Sequence, residues 1–216
     1  MQLISHRRNS IEQLEATDTK YGVEVDIRTF KGDLIIHHDP FAPGENLERW
    51  LDHYEHGTLI LNVKEEGLEK SILELLEARS LKDFFFLDQS FPFLVNSANF
   101  GETRCAVRVS EFESIQTALS LAKKISWVWL DCFTRFPISL TEYEELKNSG
   151  FKLCLVSPEL QGRNPELEIP LFAELIKKKK IRDMKLKKRK NASSRNRSIG
   201  RSRGVLSGAG AKAGVV

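Results

Sequence analysis

The chain has 216 residues, of which 41% are hydrophobic and 29% are charged, an ordinary composition for a globular protein in water. No apolar run approaches the roughly 20 residues that a membrane-spanning helix needs, and no leader-like segment precedes the first apolar run. The sequence therefore predicts a cytoplasmic protein with one sizeable core. The three cysteines, Cys105, Cys132 and Cys154, form no C-x-x-C pair, and we expect them to be buried thiols.

The formal net charge of +3 hides an uneven distribution. Residues 177–216 hold 15 Lys and Arg residues against one acid, whereas residues 1–176 hold 18 basic and 29 acidic residues. We therefore predict a folded domain at residues 1–176, followed by a basic, low-complexity, disordered tail at residues 177–216.

The basic tail has three interpretations. It could bind nucleic acid or an anionic membrane surface, because clustered Lys and Arg are attracted to phosphates and acidic headgroups. It could be a solvated extension without a partner. It could also be the product of a reading-frame slip at an A-rich tract that encodes the lysine run at residues 177–180.

Short apolar runs, rich in β-branched and aromatic residues, recur along the first 176 residues. Several are apolar at successive positions, which is typical of strands buried on both faces of a parallel sheet. Segments with helical periodicity separate most of them, so the pattern predicts an α/β fold. The runs are residues 2–5, 23–27, 34–37, 58–63, 84–87, 105–109, 127–130 and 152–156.

The third run follows the second after only six residues, which is too short for a parallel crossover, so we predict a hairpin-like excursion there. About seven βα units are left, and the first βα loop has no glycine. Both features favour a TIM-type (β/α) barrel over an open doubly wound sheet. Because the residues after 177 are poor in β-branched and aromatic side chains, we predict that this barrel is incomplete and lacks its last βα unit.

Two acidic residues, Glu24 and Asp26, interrupt the second run two positions apart, so both point to one face of the strand. Like charges at this spacing repel unless a cation or basic groups lie nearby. One interpretation is a hard divalent ion with oxygen ligands, Mg²⁺ or Ca²⁺. The other is a solvated strand face with salt bridges to Arg7 and Arg28.

Histidines stand at two neighbouring strand ends, His6 at the end of the first run and His38 after the excursion. In a βα barrel the chemistry gathers at the carboxyl ends of the strands, and two histidines there suit paired acid and base work near neutral pH. Whether His37 or His38 faces the pocket stays open in the sequence.

Later strand ends add further polar groups. Asn62 and Lys64 share one face of the fourth run, and Arg108 lies near the end of the sixth. Lys64 and Arg108 are candidates for binding a phosphate through charge-assisted hydrogen bonds. Asp88 and Asp131 end two other runs, where a structural role and a substrate-orienting role are equally compatible with the sequence.

Three segments together resemble the glycerophosphodiester phosphodiesterase family of the phospholipase-C-like phosphodiesterases. They read S-H-R-R-N-S-I-E at residues 5–12, V-E-V-D-I-R at residues 23–28 and L-I-I-H-H-D-P at residues 34–40. The resemblance implies that His6 and His38 are the catalytic acid and base, that Glu24 and Asp26 bind a divalent metal, and that Arg7 contacts the phosphate. The substrate implied is a small phosphodiester.

Three features depart from the family pattern. Arg8 stands where members usually have glycine, Asn62 stands where the third acidic metal ligand is expected, and the insertion usual after His-Asp is short. An Asn can ligate Mg²⁺ or Ca²⁺ through its carbonyl oxygen, but it lowers the charge of the site by one. Glu65 or Glu66 could substitute for the missing acid.

Three hypotheses of function follow. The leading one is a metal-dependent hydrolase of a small phosphodiester, such as a glycerophosphodiester. The second is a catalytically impaired phospholigand-binding or regulatory module on the same fold. The third is a nucleic-acid-binding protein that acts through its tail.

Overall fold

The strands follow the apolar runs of the sequence closely. The computed structural model describes residues 2–178 and 184–188, with side chains as far as residue 175. The strands in this part of the chain are β1 (Leu3–Ser5), β2 (Gly22–Phe30), β3 (Asp33–Ile36), β4 (Glu45–Asn46), β5 (Leu59–Val63), β6 (Phe84–Leu87), β7 (Ala106–Val109), β8 (Trp127–Leu130), β9 (Lys152–Val156) and β10 (Met184–Lys188).

Helices separate most of the strands, as the periodicity predicts. Ser10 caps the first helix by accepting a hydrogen bond from the N–H of Gln13. Ser114 and Ser139 cap two later helices in the same way, by accepting the N–H of Gln116 and of Glu142. The helices are α1 (Ile11–Glu15), α2 (Leu47–Asp52), α3 (Glu69–Ala78), α4 (Phe91–Asn99), α5 (Ile115–Ser120), α6 (Leu140–Asn148) and α7 (Pro165–Lys178), with a 3₁₀ turn at Pro158–Gln161.

Eight of these strands run parallel, which confirms the α/β fold with a parallel sheet. Hydrogen-bonded ladders connect them in the spatial order β7-β8-β9-β10-β1-β2-β5-β6. The two ends of this order, β6 and β7, meet at a single parallel bridge between Phe86 and Cys105. At that bridge the N–H of Phe86 donates to the carbonyl of Arg104 at 2.8 Å.

The predicted hairpin is confirmed. Strands β2 and β3 pair antiparallel, with Phe30 opposite Asp33, so Lys31 and Gly32 form a two-residue turn. Both turn residues have positive φ, at 53° and 95°, and glycine tolerates this backbone best. Strand β2 is long enough to pair with β1 near its start and with β3 near its end.

The prediction that the last βα unit is missing is wrong. Helix α7 and strand β10 form that unit, and β10 pairs in parallel with β1 on one side and β9 on the other. Leu186 lies in register with Leu3 and Leu155. The physical reason is that β1 and β9 each present unpaired backbone N–H and C=O groups, which a strand between them satisfies even when its sequence is rich in lysine.

The predicted boundary between residues 176 and 177 therefore falls inside helix α7. The disorder predicted for the tail concerns, for the most part, residues 179–183 and 189–216, which lie outside the described residues. Among the helices that are described, none is both long and apolar enough to cross a membrane.

The core lies against the strands and between the strands and their helices. Phe85 of β6 stacks on Trp127 of β8 with ring centroids 4.4 Å apart, and both side chains are buried. The three cysteines are buried free thiols, as predicted. This apolar filling leaves the carboxyl ends of the strands as the place where polar side chains gather.

Strand β10 can be tested by truncation. A chain that ends at Lys178 loses the strand between β1 and β9, so we expect it to aggregate through the two freed edges. A chain that ends at Lys190 keeps β10 and should stay monomeric. Light scattering on the two purified chains checks this, and a stable, monodisperse chain ending at Lys178 would contradict the strand.

Candidate active site

The two acidic residues of β2 lie on one buried face. Glu24 and Asp26 are both 0% exposed, and the register of β2 with β5 places Asp26 opposite Asn62. The side chains of Asn62 and Lys64 reach across to these two acids, which confirms that all four share a face. The carboxylates are therefore not on a solvated strand face.

Glu24 is surrounded by donors from three directions. The backbone N–H of Arg7 donates to its Oε2 at 2.8 Å, and the Asn62 amide donates to its Oε1 at 2.9 Å. The His6 Nε2 atom lies 3.6 Å from Oε2. Arg7 holds a left-handed backbone with φ of 50°, an uncommon conformation for a non-glycine residue, and this turns its N–H toward the buried carboxylate.

Asp26 is held by a two-point contact with Asn9. The side-chain NH₂ of Asn9 donates to Asp26 Oδ2 at 2.9 Å, and the side-chain oxygen of Asn9, Oδ1, accepts a hydrogen bond from the backbone N–H of Asp26 at 3.1 Å. Two cations complete the surroundings, because Arg7 Nε and Lys64 Nζ each lie 3.5 Å from an Asp26 oxygen. Arg7 thus contacts both acids.

Arg28 does not join this cluster, although the sequence allowed a salt bridge from it. Its Nε donates to the backbone carbonyl of His38 at 2.9 Å, and its Nη1 lies 3.7 Å from Glu65. Glu65 also accepts a hydrogen bond from the Thr29 hydroxyl at 2.6 Å. Glu65 is therefore engaged by β2 residues away from the two buried acids.

Opposite charges alternate along the next strand ends. Lys64 Nζ lies 3.5 Å from Asp88, Arg108 donates to Asp88 at 2.5 Å, and Arg108 Nε lies 3.9 Å from Asp131. Asp131, in turn, accepts a hydrogen bond from Gln161 at 2.5 Å. Burial raises the pKa of the Asp131 carboxyl, although the charge of Arg108 opposes the rise.

The Asp88–Arg108 pair has two further properties. Burial alone would lower the pKa of the Arg108 guanidinium, but the charge and hydrogen bond of Asp88 outweigh it and raise that pKa. Asp88 also has a left-handed backbone, with φ of 60°. Strained backbone of this kind clusters at functional sites, and here it occurs at two predicted site residues, Arg7 and Asp88.

The His38 ring forms no described hydrogen bond or ion pair with the two buried acids or with the alternating charges at the strand ends. Its Nδ1 pairs with the Asp39 carboxylate at 2.7 Å, and its side chain is 33% exposed. The His38 hydrogen bond, followed by the charges of His37 and Arg7, lowers the pKa of Asp39 below its usual value. The backbone N–H of the neighbouring His37 donates to the carbonyl of Asp26, so this loop lies beside the end of β2 that carries the buried acids.

His37 is engaged with its own loop. Its Nδ1 accepts the backbone N–H of Asp39 at 3.0 Å, and its backbone N–H donates to the carbonyl of Asp26 at 2.9 Å. Of the two neighbouring histidines, His38 is therefore the one whose ring is oriented by a carboxylate, an arrangement that suits proton transfer.

The donor set at the two acids is compatible with a hard cation. Glu24, Asp26 and Asn62 offer only oxygen ligands, the type that Mg²⁺ and Ca²⁺ prefer. Within the described residues, the buried Asp26 Oδ1 and Asn62 Oδ1 atoms accept no hydrogen bond, and of the two only Asp26 Oδ1 has a cation nearby, Lys64 Nζ at 3.5 Å. A buried oxygen without a hydrogen bond is costly unless another group satisfies it. A group of three His, Cys, Asp or Glu side chains arranged for a metal is not found in the same part of the chain.

Two residues of the cluster had no role assigned from the sequence. Asn9 lies inside the first motif, where a polar residue directly before the helix cap Ser10 was the available signal. Gln161 ends the 3₁₀ turn after β9, and nothing local marks it as a partner of Asp131. Both contacts connect elements that are distant in sequence.

Comparison with known proteins bears on the fold. The sequence matches no family model and no curated protein. The structure is similar to the crystal structure of a glycerophosphodiester phosphodiesterase from Agrobacterium tumefaciens str. C58, with a TM-score of 0.60 and 13% sequence identity. The match covers 87% of this chain and 95% of that chain. The two proteins share a fold. The resemblance predicted from the three motifs is thus confirmed at that level.

The contact between Asn9 and Asp26 can be tested for its effect on stability. In Asn9→Ala, a buried carboxylate oxygen and a backbone N–H lose their partner, so we expect the free energy of unfolding to fall by about 1–3 kcal/mol. Urea denaturation measures the change. Asn96→Ala on the exposed face of α4 is the matched control, and an equal effect in the two variants would contradict the proposed role of Asn9.

Proposed function

We propose that this protein hydrolyses a small phosphodiester, such as a glycerophosphodiester, on a TIM-type (β/α) barrel. The observation that carries the proposal is the contact of Arg7 with both buried acids, through its N–H to Glu24 and its guanidinium to Asp26, with His6 beside Glu24. The shared fold with a glycerophosphodiester phosphodiesterase supports a phosphodiesterase-like role. The parallel bridge between β6 and β7 supports closure of the barrel.

The cations along the strand ends supply the phosphate site. Arg7, Lys64 and Arg108 lie at the ends of β1, β5 and β7, which are alternate strands of the parallel order. Each is partly open to solvent, with exposed side-chain fractions of 37%, 18% and 36%. Guanidinium and ammonium groups offer charge-assisted hydrogen bonds to phosphoryl oxygens. Asp88, which lies between Lys64 and Arg108, orients both cations toward the same space.

The two histidines would divide the proton transfers. With the proton of its neutral ring on Nδ1, His38 would donate a hydrogen bond to the Asp39 carboxylate, and its Nε2 would take a proton from the attacking water. His6, beside the buried Glu24 carboxylate, would donate its proton to the leaving alkoxide oxygen. The new bond joins the water oxygen to phosphorus, the bond from phosphorus to the leaving oxygen breaks, and the products are a phosphomonoester and an alcohol.

Glu24, Asp26 and Asn62 would hold a divalent cation, Mg²⁺ or Ca²⁺. When bound, such an ion neutralises charge on phosphoryl oxygens during the displacement. This assignment rests on the two buried oxygens of Asp26 and Asn62 that find no hydrogen-bond donor among the described side chains. The residues themselves position the phosphate and move the protons.

A second candidate is a phospholigand-binding module without turnover. The observation that favours it is Asn62, which donates a hydrogen bond to Glu24 at the position where the resemblance implies a third acid. The predicted cytoplasmic location, and binding of nucleic acid or an anionic membrane by the basic tail, stay predictions.

Turnover separates the two candidates. With Mg²⁺ or Ca²⁺, the purified protein should hydrolyse glycerophosphocholine and a chromogenic phosphodiester, and EDTA should stop it. His6→Ala should lower kcat by about 10²- to 10⁴-fold, because a positioned proton donor is lost. His53→Ala is the matched control, since His53 is a surface residue that contacts Glu15. Ligand binding without turnover would favour the module.

The cation site has its own test in Asn62→Asp. The variant loses the hydrogen bond to Glu24 and adds a third carboxylate, so without a divalent ion it should be less stable by about 1–3 kcal/mol. Mg²⁺ or Ca²⁺ should raise its Tm more than that of the parent protein. Asn96→Asp is the exposed control, and an equal cation response in all three proteins would contradict the site.

A further inference from the structure

Asp88 lies just beyond the part of β6 that the sheet holds. The ladder between β5 and β6 ends at Leu87, opposite Asn62, and in the described chain a single bridge, from Phe86 to Cys105, joins β6 to β7. Asp88 follows these residues and has a left-handed backbone, with φ of 60°. A backbone in this uncommon region persists only where the surrounding structure holds it. Strand pairing does not hold Asp88, so other contacts must do so.

Packing around Asp88 is limited as well. A cavity of about 450 Å³ lies between α4 and α5, where β6 and β7 part. A second cavity, of about 210 Å³, lies beside the ends of β5 and β6 and is bordered by residues of α3 and α4. Asp88 and Gln89 belong to the lining of both cavities. Unfilled space on two sides removes packing contacts that would otherwise fix these two residues.

The side chain of Gln89 attaches this loop to two helices. Its NH₂ group donates to Glu69 Oε1 and to Ser97 Oγ, both at 2.9 Å. Glu69 is the first residue of α3 and is buried, and Ser97 lies in α4. The amide has two N–H groups, one for each acceptor, and a hydrogen bond to a carboxylate is stronger than one between neutral groups. Gln89 therefore ties the residue after Asp88 to the helix before β6 and to the helix after it.

The position of Asp88 matters because it joins two cations of the proposed phosphate site. Its Oδ2 lies 3.5 Å from Lys64 Nζ, and its Oδ1 accepts a hydrogen bond from Arg108. Each cation has a second acid nearby, since Lys64 Nζ lies 3.5 Å from Asp26 and Arg108 Nε lies 3.9 Å from Asp131. If Asp88 moved, the two cations would turn toward these other acids and away from each other.

We propose that Gln89 is a positioning residue of the phosphate site. Its hydrogen bonds to α3 and α4 fix Asp88 in the place from which the Asp88 carboxylate aligns Lys64 and Arg108. The inference rests on the proposed phosphodiesterase function and deepens it, because it names a residue that controls phosphate binding. The two histidines are not involved, so loss of these hydrogen bonds should raise KM and leave kcat nearly unchanged.

The variant Gln89→Met tests the inference, because it removes both hydrogen bonds and keeps the length of the side chain. We expect the Kd of inorganic phosphate, measured by calorimetric titration of the full-length protein, to rise about tenfold, as for the loss of one charge-assisted hydrogen bond. KM for glycerophosphocholine should rise by a similar factor. Asn96→Ala, at an exposed position of α4, is the matched control and should keep both values. Unchanged phosphate affinity and KM in Gln89→Met would overturn the inference.

Two milder variants keep the test decisive if Gln89→Met folds poorly. Ser97→Ala removes one acceptor and leaves no buried charge, so the Kd of phosphate should rise by a smaller factor, about threefold. Glu69→Gln keeps an acceptor oxygen for Gln89, so it should bind phosphate at least as tightly as the parent protein. Parent-like affinity in Ser97→Ala, or weaker binding in Glu69→Gln than in Ser97→Ala, would contradict the positioning role.

A double-mutant cycle separates positioning from a general effect on stability. In the Asp88→Asn background the carboxylate that Gln89 positions is absent, so adding Gln89→Met should change the Kd of phosphate by less than about twofold. A purely structural role of Gln89 predicts the same loss of affinity in both backgrounds. A full tenfold loss in the Asp88→Asn background would therefore overturn the inference.

Binding and turnover together distinguish this inference from the proposed hydrolysis. Phosphate affinity that depends on Gln89, in a protein that hydrolyses no phosphodiester, would support the positioning role and contradict the hydrolase. Hydrolysis with a KM that Gln89→Met leaves unchanged would support the hydrolase and contradict the positioning role. A parent protein that binds no inorganic phosphate would overturn the inference and the proposed phosphate site together.

Discussion

Two carboxylates buried side by side on one strand set the constraint on which the rest of this site depends. Successive same-face positions of a strand are about 6–7 Å apart, and at an effective dielectric constant near 20 the repulsion between two such charges is about 2.5 kcal/mol. Removing each charge from water adds several kcal/mol more. Glu24 and Asp26 are stable at 0% exposure only because neighbouring strand ends bring donors and cations to them. The groups that do so are His6, Arg7, Asn9, Asn62 and Lys64.

Beyond these two acids, positively and negatively charged side chains alternate at the carboxyl ends of the neighbouring strands. Each member contacts the next, so the charge of one strand end is balanced by its neighbours rather than by solvent. The contact between Asp88 and Arg108 also joins β6 to β7, the one pair of neighbouring parallel strands in the described chain that lacks a ladder. The members, in order, are Arg7, Asp26, Lys64, Asp88, Arg108 and Asp131.

The separation of β6 from β7 affects both the charged ends of these strands and the space between the helices α4 and α5. Where the strands separate, the helices α4 and α5 leave a cavity that the core does not fill, and the Asp88–Arg108 pair lies at its polar border. The proposed phosphate site and this cavity therefore adjoin for a structural reason. Strand β10 has the opposite effect on the sheet, because it fills the gap between β1 and β9 with backbone hydrogen bonds.

Much of this was determined by the sequence alone. The strand positions follow from apolar runs and the hairpin from a connection too short for a crossover, and the shared face of Glu24 and Asp26 follows from the two-residue period of a strand. All three are local properties of the backbone. Only the tertiary structure decided that β10 pairs with β1 and β9, and which partner each charged side chain contacts. It also decided that the His38 ring lies apart from the alternating charges and that a cavity lies beside Arg108. These features depend on how residues distant in the chain approach one another. The lysine-rich segment β10 forms a strand only because β1 and β9 offer unpaired backbone groups on its two sides.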